Sequence, residues 1–209
     1  MKRWLRGSAY TLEPYLSLYI FLFVLFVIGV IFGAIMVGSL SFIQKQDLLF
    51  FVQQYFFTFT EQSHSLSFRD IFSTFWTHGK YVTFIFLFGL SVIGLPIVWF
   101  LLFAKGVVIG FTVGFLVNQL TWEGFLLSIG SIAPQNLFII PAYLLVVASS
   151  MIFSMHIIKM LMTRSRHQYT FAQASSLYFK SFMIVLSIVF VGSIIESVFS
   201  SQMMQFILN

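Results

Sequence analysis

The apolar run at residues 15–38 contains no charged residue, and it limits what this chain can fold into. As a helix the run would be roughly 36 Å long, and the hydrocarbon core of a bilayer is about 30 Å thick. The run is longer than a signal-peptide core and no convincing cleavage site follows it, so we expect a retained membrane helix. The whole chain of 209 residues is 59% hydrophobic and only 8% charged. The sequence therefore predicts an integral membrane protein, because a soluble domain cannot cover so much apolar surface.

The other apolar runs extend this prediction to an all-α, polytopic helix bundle that forms one membrane domain over residues 1–209. Five transmembrane helices are expected, with an outer helical loop at 39–80, a short outer helix at 122–134 and a cytoplasmic loop at 159–179. The predicted transmembrane helices are 15–38, 81–103, 106–121, 136–158 and 180–199.

The basic residues orient these spans, because Lys and Arg are retained on the cytoplasmic side. The chain begins with the basic run MKRWLR, so its amino end is expected inside. The third span is short, and it fits either a full crossing or half of a re-entrant hairpin. Lys105 before it and Lys159 after the fourth span are both expected inside. An even number of crossings must separate them, so the third span crosses and the carboxyl end lies outside.

The sequence offers little reactive chemistry. It has no cysteine, which excludes disulfides, thiolate catalysis and cysteine-ligated metals. Its six acidic residues are scattered, and no two fall together in an apolar run where they would serve general acid catalysis. His64 and His78 both fall in the outer region without the spacing of a metal site. The eleven Lys and Arg residues form no basic patch. We therefore expect no catalytic residue, no cofactor, no metal and no nucleic-acid partner.

The loop at residues 39–80 is the longest polar stretch outside the predicted spans, and its periodicity predicts an amphipathic helix on the outer side. Phe50 and Phe57 depart from the pattern, because they project from the polar arc beside Gln53 and Gln54. We interpret these four residues as a partner-binding surface. The alternative is that a neighbouring loop covers the two aromatic rings.

Glycines recur at intervals of four residues in the first and third spans. Gly29 and Gly33 form one pair, and Gly106, Gly110 and Gly114 form a stripe without side chains. Such a stripe lets another helix approach closely, so we interpret all of these glycines as helix-packing positions. A backbone lining for a pore is the alternative interpretation of the stripe.

Prolines and amides mark further irregular points. Pro96 is expected to kink the second span near its middle, because it removes a backbone donor. Pro134, Gln135, Asn136 and Pro141 lie near the outer end of the fourth span. Amides require hydrogen-bonding partners once they leave water, so we expect an amide cluster at the outer mouth of the bundle.

A family resemblance rests on the stretches SLYIFLFVLFVIGVIFGAIMVGSL, SVIGLPIVWFLLFAKGVVIGFTVGFLVNQ and SIAPQNLFIIPA. They resemble the stage II sporulation protein M family of spore-forming Firmicutes, over nearly the whole length of the chain. The broader membrane family often has Pro-His-Gly, followed after two residues by Glu and then by Pro. Here Pro134 and Pro141 match, whereas Gln135, Asn136 and Ile139 replace the His, Gly and Glu. No ion-handling role is therefore carried over to this motif.

The resemblance implies a non-enzymatic scaffold that holds two septal peptidoglycan hydrolases, stage II sporulation proteins P and D, during engulfment of the forespore. It also implies a multi-pass protein of the cell membrane on the mother-cell side of the sporulation septum. The lipid bilayer is the other expected partner, and the glycine and phenylalanine surfaces allow a homodimer. The alternative function is a permease or channel-like subunit, against which we count the lack of ionisable residues in mid-span.

Overall fold

In the computed structural model the described residues are 15–62, 68–162 and 171–208, and within these ranges every secondary-structure element is helical. The predicted all-α class is therefore confirmed. A 3₁₀ turn at Val92–Gly94 and a π-helical turn at Ser128–Ile132 interrupt the α-helices. The α-helices are α1 (Leu16–Gly38), α2 (Phe42–Gln62), α3 (Phe68–Gly89), α4 (Leu95–Leu127), α5 (Ala133–Met162) and α6 (Phe171–Leu208).

The described part of the chain contains 4 stretches that are long and apolar enough to cross a membrane. Helix α3 does not meet the same criterion, because His78 and Lys80 interrupt its apolar run. It nevertheless contributes Val82 and Ile85 to the core, and both are fully buried. The membrane-crossing candidates are Leu16–Gly38, Val92–Gly130, Asn136–Met160 and Phe171–Ser197.

The break that we expected beside Lys105, between the second and third spans, lies elsewhere. Helix α4 runs through Lys105 without interruption, and the chain turns at residues 90–94 instead. Gly94 permits this turn, since a Cβ there would overlap the carbonyl oxygen of Phe88. Pro96 follows in the first turn of α4, where its missing N–H breaks no helical hydrogen bond. Pro96 therefore begins a helix instead of kinking the middle of one.

Helix α4 is correspondingly longer than the short span predicted at 106–121. Its regular part, from Leu95 up to Thr121, is about 39 Å long, which exceeds the roughly 30 Å thickness of the hydrocarbon core of a bilayer. Thr121 ends this part with φ 50 and ψ −117, and it is the only described residue other than glycine with a positive φ. The chain then folds back on α4 and continues as helical turns into α5, in the region predicted as a short outer helix.

Helices α5 and α6 both extend into the predicted cytoplasmic loop at 159–179. Helix α5 ends at Met162 and α6 already begins at Phe171, well before residue 180. Long apolar side chains such as Phe171 and Leu177 continue the apolar pattern past the charges that we used as boundaries. Lys180 therefore lies inside α6 and does not mark its start, whereas Lys159 lies in the last turn of α5.

Side-chain contacts fix the relative directions of the helices. Helices α1 and α4 run parallel, because Phe21 contacts Trp99 near the start of both, with ring centroids 5.6 Å apart, and Gly33 lies against Phe111 further along. The two backbones touch over several turns. This pair forms one side of the bundle.

Helices α3, α5 and α6 form the other side. Helix α6 runs antiparallel to α3, because Phe75 contacts Phe190 at 5.4 Å whereas Phe86 contacts Phe182 at 4.2 Å between ring centroids. Helix α3 runs parallel to α5, and antiparallel to α4 across the turn at 90–94. The shared core contains Leu22, Val82, Ile85, Leu102, Tyr143, Val146 and Val185.

Candidate functional site

Helix α2 begins with a reciprocal capping arrangement. The backbone N–H of Ser41 donates to Oε1 of Gln44 at 2.9 Å, and the backbone N–H of Gln44 donates to Oγ of Ser41 at 3.4 Å. This pair satisfies two of the donors that the start of a helix leaves open. Helix α2 packs only lightly on the bundle, chiefly against α6, so most of its surface faces outward.

Aromatic side chains of α2 lie on this outward surface. Phe50 is 64% exposed and Phe51 is 65% exposed, and their ring centroids are 6.4 Å apart. Gln53 and Gln54 are also exposed, and they share a helical face with Phe50 because they follow it by three and four residues. The side chain of Phe57, the second predicted anchor, lies outside the described residues.

The predicted packing glycines lie in the contact between α1 and α4, which we call the glycine contact. A Cβ on Gly29 would come within 3.3 Å of the Gly106 Cα, and a Cβ on Gly110 would overlap the carbonyl of Val30. The two backbones therefore touch with no side chain between them. Such close approach gives dispersion contacts that lipid cannot replace. The glycine contact consists of Gly29, Gly33, Gly106, Gly110 and Gly114.

The amides expected at the outer mouth bond locally. Asn136 donates to the carbonyl of Ile132 at 2.8 Å, one helical turn earlier, and Gln119 donates to Oδ1 of Asn118 at 3.0 Å. The side chain of Gln135 lies outside the described residues. Among the described side chains, no hydrogen bond joins Asn136 to Asn118 or Gln119, so these amides form no single cluster.

The two prolines of this region have different positions in α5. Pro134 occupies the first turn, whereas Pro141 lies inside the helix. Pro141 has no N–H to donate to the carbonyl of Leu137. Pro141, but not Pro134, lines an open, largely apolar cavity of about 460 Å³ between α4, the π-helical turn and α5.

The interior of the bundle contains a set of side chains that we call the polar cluster. It comprises His78 and Tyr81 of α3, Lys105 of α4, Tyr143 of α5 and Glu196 of α6. Nδ1 of His78 is 3.0 Å from the Tyr143 hydroxyl, and Nε2 is 3.1 Å from Oε2 of Glu196. The Lys105 ammonium lies 5.9 Å and 5.3 Å from the ring centroids of Tyr81 and Tyr143. Four helices therefore meet at one polar position.

The bonding capacity of these groups assigns their donors and acceptors. A carboxylate can only accept, so Nε2 of His78 carries the proton that it shares with Glu196. Nδ1 of the neutral imidazole then accepts from the Tyr143 hydroxyl. The Tyr81 hydroxyl donates to a backbone carbonyl of α4, which fixes the ring beside Lys105. With a neutral His78, the Lys105 ammonium and the Glu196 carboxylate balance each other in charge, which lowers the cost of burying the cluster.

The position of the polar cluster along the helices follows from the glycine contact beside it. Lys105 is the residue before Gly106, which faces Gly29 near the middle of the apolar helix α1. Lys105 also lies about 15 Å along α4 from its first residue, Leu95. The side chains of His78 and Glu196 are only 13% and 24% exposed. The polar cluster therefore lies in the interior of the bundle at mid-depth, where ionisable groups are costly.

This position corrects three expectations. The sequence predicts Lys105 at the inner end of a span and His78 in an outer loop. It also predicts no ionisable residue in mid-span, which counts against a permease. The structure instead brings both residues together in the bundle interior. Counting α4 from Pro96 would have placed Lys105 inside the helix. Its neighbours come from three other helices, and no sequence spacing indicates them.

Comparison with known proteins gives one family. A family model described as stage II sporulation protein M matches residues 22–201. The matched range includes α2, the glycine contact and the polar cluster. Searches of the curated proteins and of the solved structures found no match.

Proposed function

The chain belongs to the stage II sporulation protein M family, a family of sporulation-related membrane proteins, and from this premise we propose that it is a membrane scaffold. In this proposal it has no catalytic activity of its own. It recruits and positions the septal peptidoglycan hydrolases, stage II sporulation proteins P and D, while the membrane engulfs the forespore.

The exposed aromatic face of α2 is the observation that carries this proposal. Phe50 and Phe51 present large apolar side chains on a helix that packs only lightly on the bundle, beside exposed Gln53 and Gln54. Aromatic side chains with a polar rim are typical of the centres of protein interfaces. Binding energy there would come from burying the aromatic rings, and hydrogen bonds from the two glutamine amides would orient the partner.

The proposed topology places that face on the side of the cell wall. We propose five crossings, by α1, α3, α4, α5 and α6, with the amino end inside and the carboxyl end outside. The alternating directions of these helices support it, and so does the basic amino-terminal run. Helix α2 then lies outside the membrane, on the mother-cell side of the septum, where the hydrolases act.

The bundle acts in this proposal as a rigid base for α2. The glycine contact holds α1, whose carboxyl end leads into α2. The polar cluster holds α3, which follows α2 in the chain, against α4, α5 and α6. Both ends of the outer helix are therefore tied to the bundle, which reduces the entropy lost when a partner binds.

Replacing the proposed anchors tests the scaffold directly. We expect Phe50→Ser with Phe57→Ser to reduce co-purification of the hydrolases from sporulating cells at least tenfold, because central aromatic anchors dominate interface energies. Phe72→Ser is the matched control, since Phe72 is 56% exposed but belongs to α3. Unchanged recovery of the hydrolases at normal protein levels would overturn the anchor role.

The polar cluster favours a second candidate, a permease or channel-like subunit. Ionisable side chains at mid-depth are typical of ion and proton pathways. In reconstituted vesicles, a proton or potassium flux that Lys105→Met removes and Gly38→Ala retains would establish this candidate. A flux no greater than that of empty vesicles would exclude it for these two ions and leave the scaffold unaffected.

A further inference from the structure

A second open cavity, of about 330 Å³, lies between the carboxyl-terminal half of α5, the amino-terminal half of α6 and Tyr15 at the start of α1. We call it the end cavity. Ile152, Met155 and Leu177 give it a largely apolar wall, and Lys159 also lines it. None of these residues belongs to α2, the glycine contact or the polar cluster, so the proposed scaffold function does not use them.

The end cavity has one polar end inside the bundle and one cationic end at its edge. Ser149 and Ser181 lie at the inner end, with their hydroxyl oxygens 2.5 Å apart. Ser149 donates to the carbonyl of Leu145 at 2.8 Å, so Ser181 donates to Ser149 and this end is satisfied by the protein itself. Lys159 is exposed in the last turn of α5, about 15 Å further along the helix.

This order of groups matches a phospholipid more closely than a small polar solute. Ile152 and Met155 of the apolar wall are half-buried and Leu177 is exposed, and the cation lies where α5 ends. A lipid inserted from the same side would place an acyl chain along the wall and its phosphate beside Lys159. The hydroxyl pair at the inner end already has its partners, so an apolar chain can reach it without displacing a ligand group.

The charge of the sequence around the end cavity indicates which lipid headgroup would bind there. Between Glu123 and Glu196 the chain has no acidic residue. The same stretch contributes only positive charges, which attract anionic lipid headgroups and are typical of cytoplasmic loops. Its basic residues are Lys159, Arg164, Arg166 and Lys180.

We propose that the end cavity binds one phospholipid with an anionic headgroup, its phosphate at Lys159 and an acyl chain along Ile152, Met155 and Leu177. The leaflet from which the lipid comes depends on the proposed topology, which puts this end of α5 inside. The binding itself does not depend on the topology or on the hydrolases. It is therefore testable in the purified protein.

Native mass spectrometry of the full chain in detergent measures this preference. With acyl chains held constant, we expect phosphatidylglycerol to bind about fivefold more tightly than phosphatidylethanolamine, the factor that one lysine near an anionic surface contributes. Lys159→Gln should abolish the preference, and Lys45→Gln on the outer helix α2 should retain it. Equal binding of the two lipids by the unchanged protein would overturn the proposal. Equal loss of the preference in Lys159→Gln and Lys45→Gln would overturn it as well.

Filling the cavity tests the position of the acyl chain. Ala174 lines the cavity, so Ala174→Phe should reduce binding of both lipids by at least fivefold. Ala172 lies on the same helix but is exposed and does not line the cavity, so Ala172→Phe should leave binding unchanged. Retained binding in Ala174→Phe, or displacement of the lipid by soluble glycerol phosphate, would contradict a lipid site. The displacement would indicate a free phosphate site instead.

Discussion

The glycine contact and the polar cluster join helices at the same depth of the bundle by opposite means. Gly106 and Lys105 are consecutive residues of α4, yet one presses against the backbone of α1 and the other lies against two tyrosine rings. Apolar side chains alone give no driving force between helices in lipid, so close packing and polar contacts must supply it. The glycine contact depends on the absence of side chains, and the polar cluster depends on the hydrogen bonds and charges of its side chains. Substitutions in the two regions should therefore destabilise the protein in different ways.

The glycine contact should tolerate no added atom. Gly110→Ala places a Cβ against the carbonyl of Val30, and we expect it to destabilise the protein by about 3 kcal/mol, the upper end of the usual cost of overpacking. Reversible unfolding in mixed micelles with increasing dodecyl sulfate measures this loss. Gly38→Ala is the matched control, because a Cβ there has no neighbour within 4 Å, and it should change stability by less than about 0.5 kcal/mol. Equal effects of the two changes would refute the steric account.

The polar cluster should instead show coupling between its members. Glu196→Leu removes the acceptor for Nε2 of His78 and the nearby anion for Lys105, and we expect a loss of about 2 kcal/mol. Glu123→Leu, at an exposed position, should cost less than about 0.5 kcal/mol. Adding His78→Leu to Glu196→Leu should cost less than the sum of the two single changes. Strict additivity would mean that the two side chains do not stabilise each other.

Tyr143→Phe should have the smallest effect, because it removes one hydroxyl and keeps the ring beside Lys105. Loss of the hydrogen bond to Nδ1 of His78 should cost about 1 kcal/mol in the same unfolding measurement. A loss as large as that of Glu196→Leu would show that the hydroxyl holds the cluster as strongly as the Glu196 carboxylate does. No loss would show that the hydrogen bond contributes nothing.

The same contrast explains how far the sequence could predict this structure. The glycine stripe is a periodic pattern within one helix, so its role in packing was visible before the partner helix was known. The helical class and the apolar spans followed from composition and run length for the same reason. The sequence does not predict the boundary at residues 90–94, because a lysine between two apolar runs, such as Lys105, is typical of the end of a span.

The polar cluster could not be predicted, because its residues are far apart in the sequence. His78 and Glu196 meet only once α3 and α6 are packed antiparallel, and neither residue has a neighbour in sequence that indicates the other. A charged residue in an apolar run normally predicts the end of a span, since burying a charge is costly without partners. Three other helices supply those partners here.

Site-specific photo-cross-linking in sporulating cells tests the central proposal most directly. A photoreactive residue at position 50 on α2 is compared with one at position 28 on α1, where Ile28 is an exposed apolar residue. The scaffold predicts cross-links to the peptidoglycan hydrolases from position 50 and none from position 28. Equal cross-linking from both positions, or none from position 50 while the hydrolases are present, would contradict it.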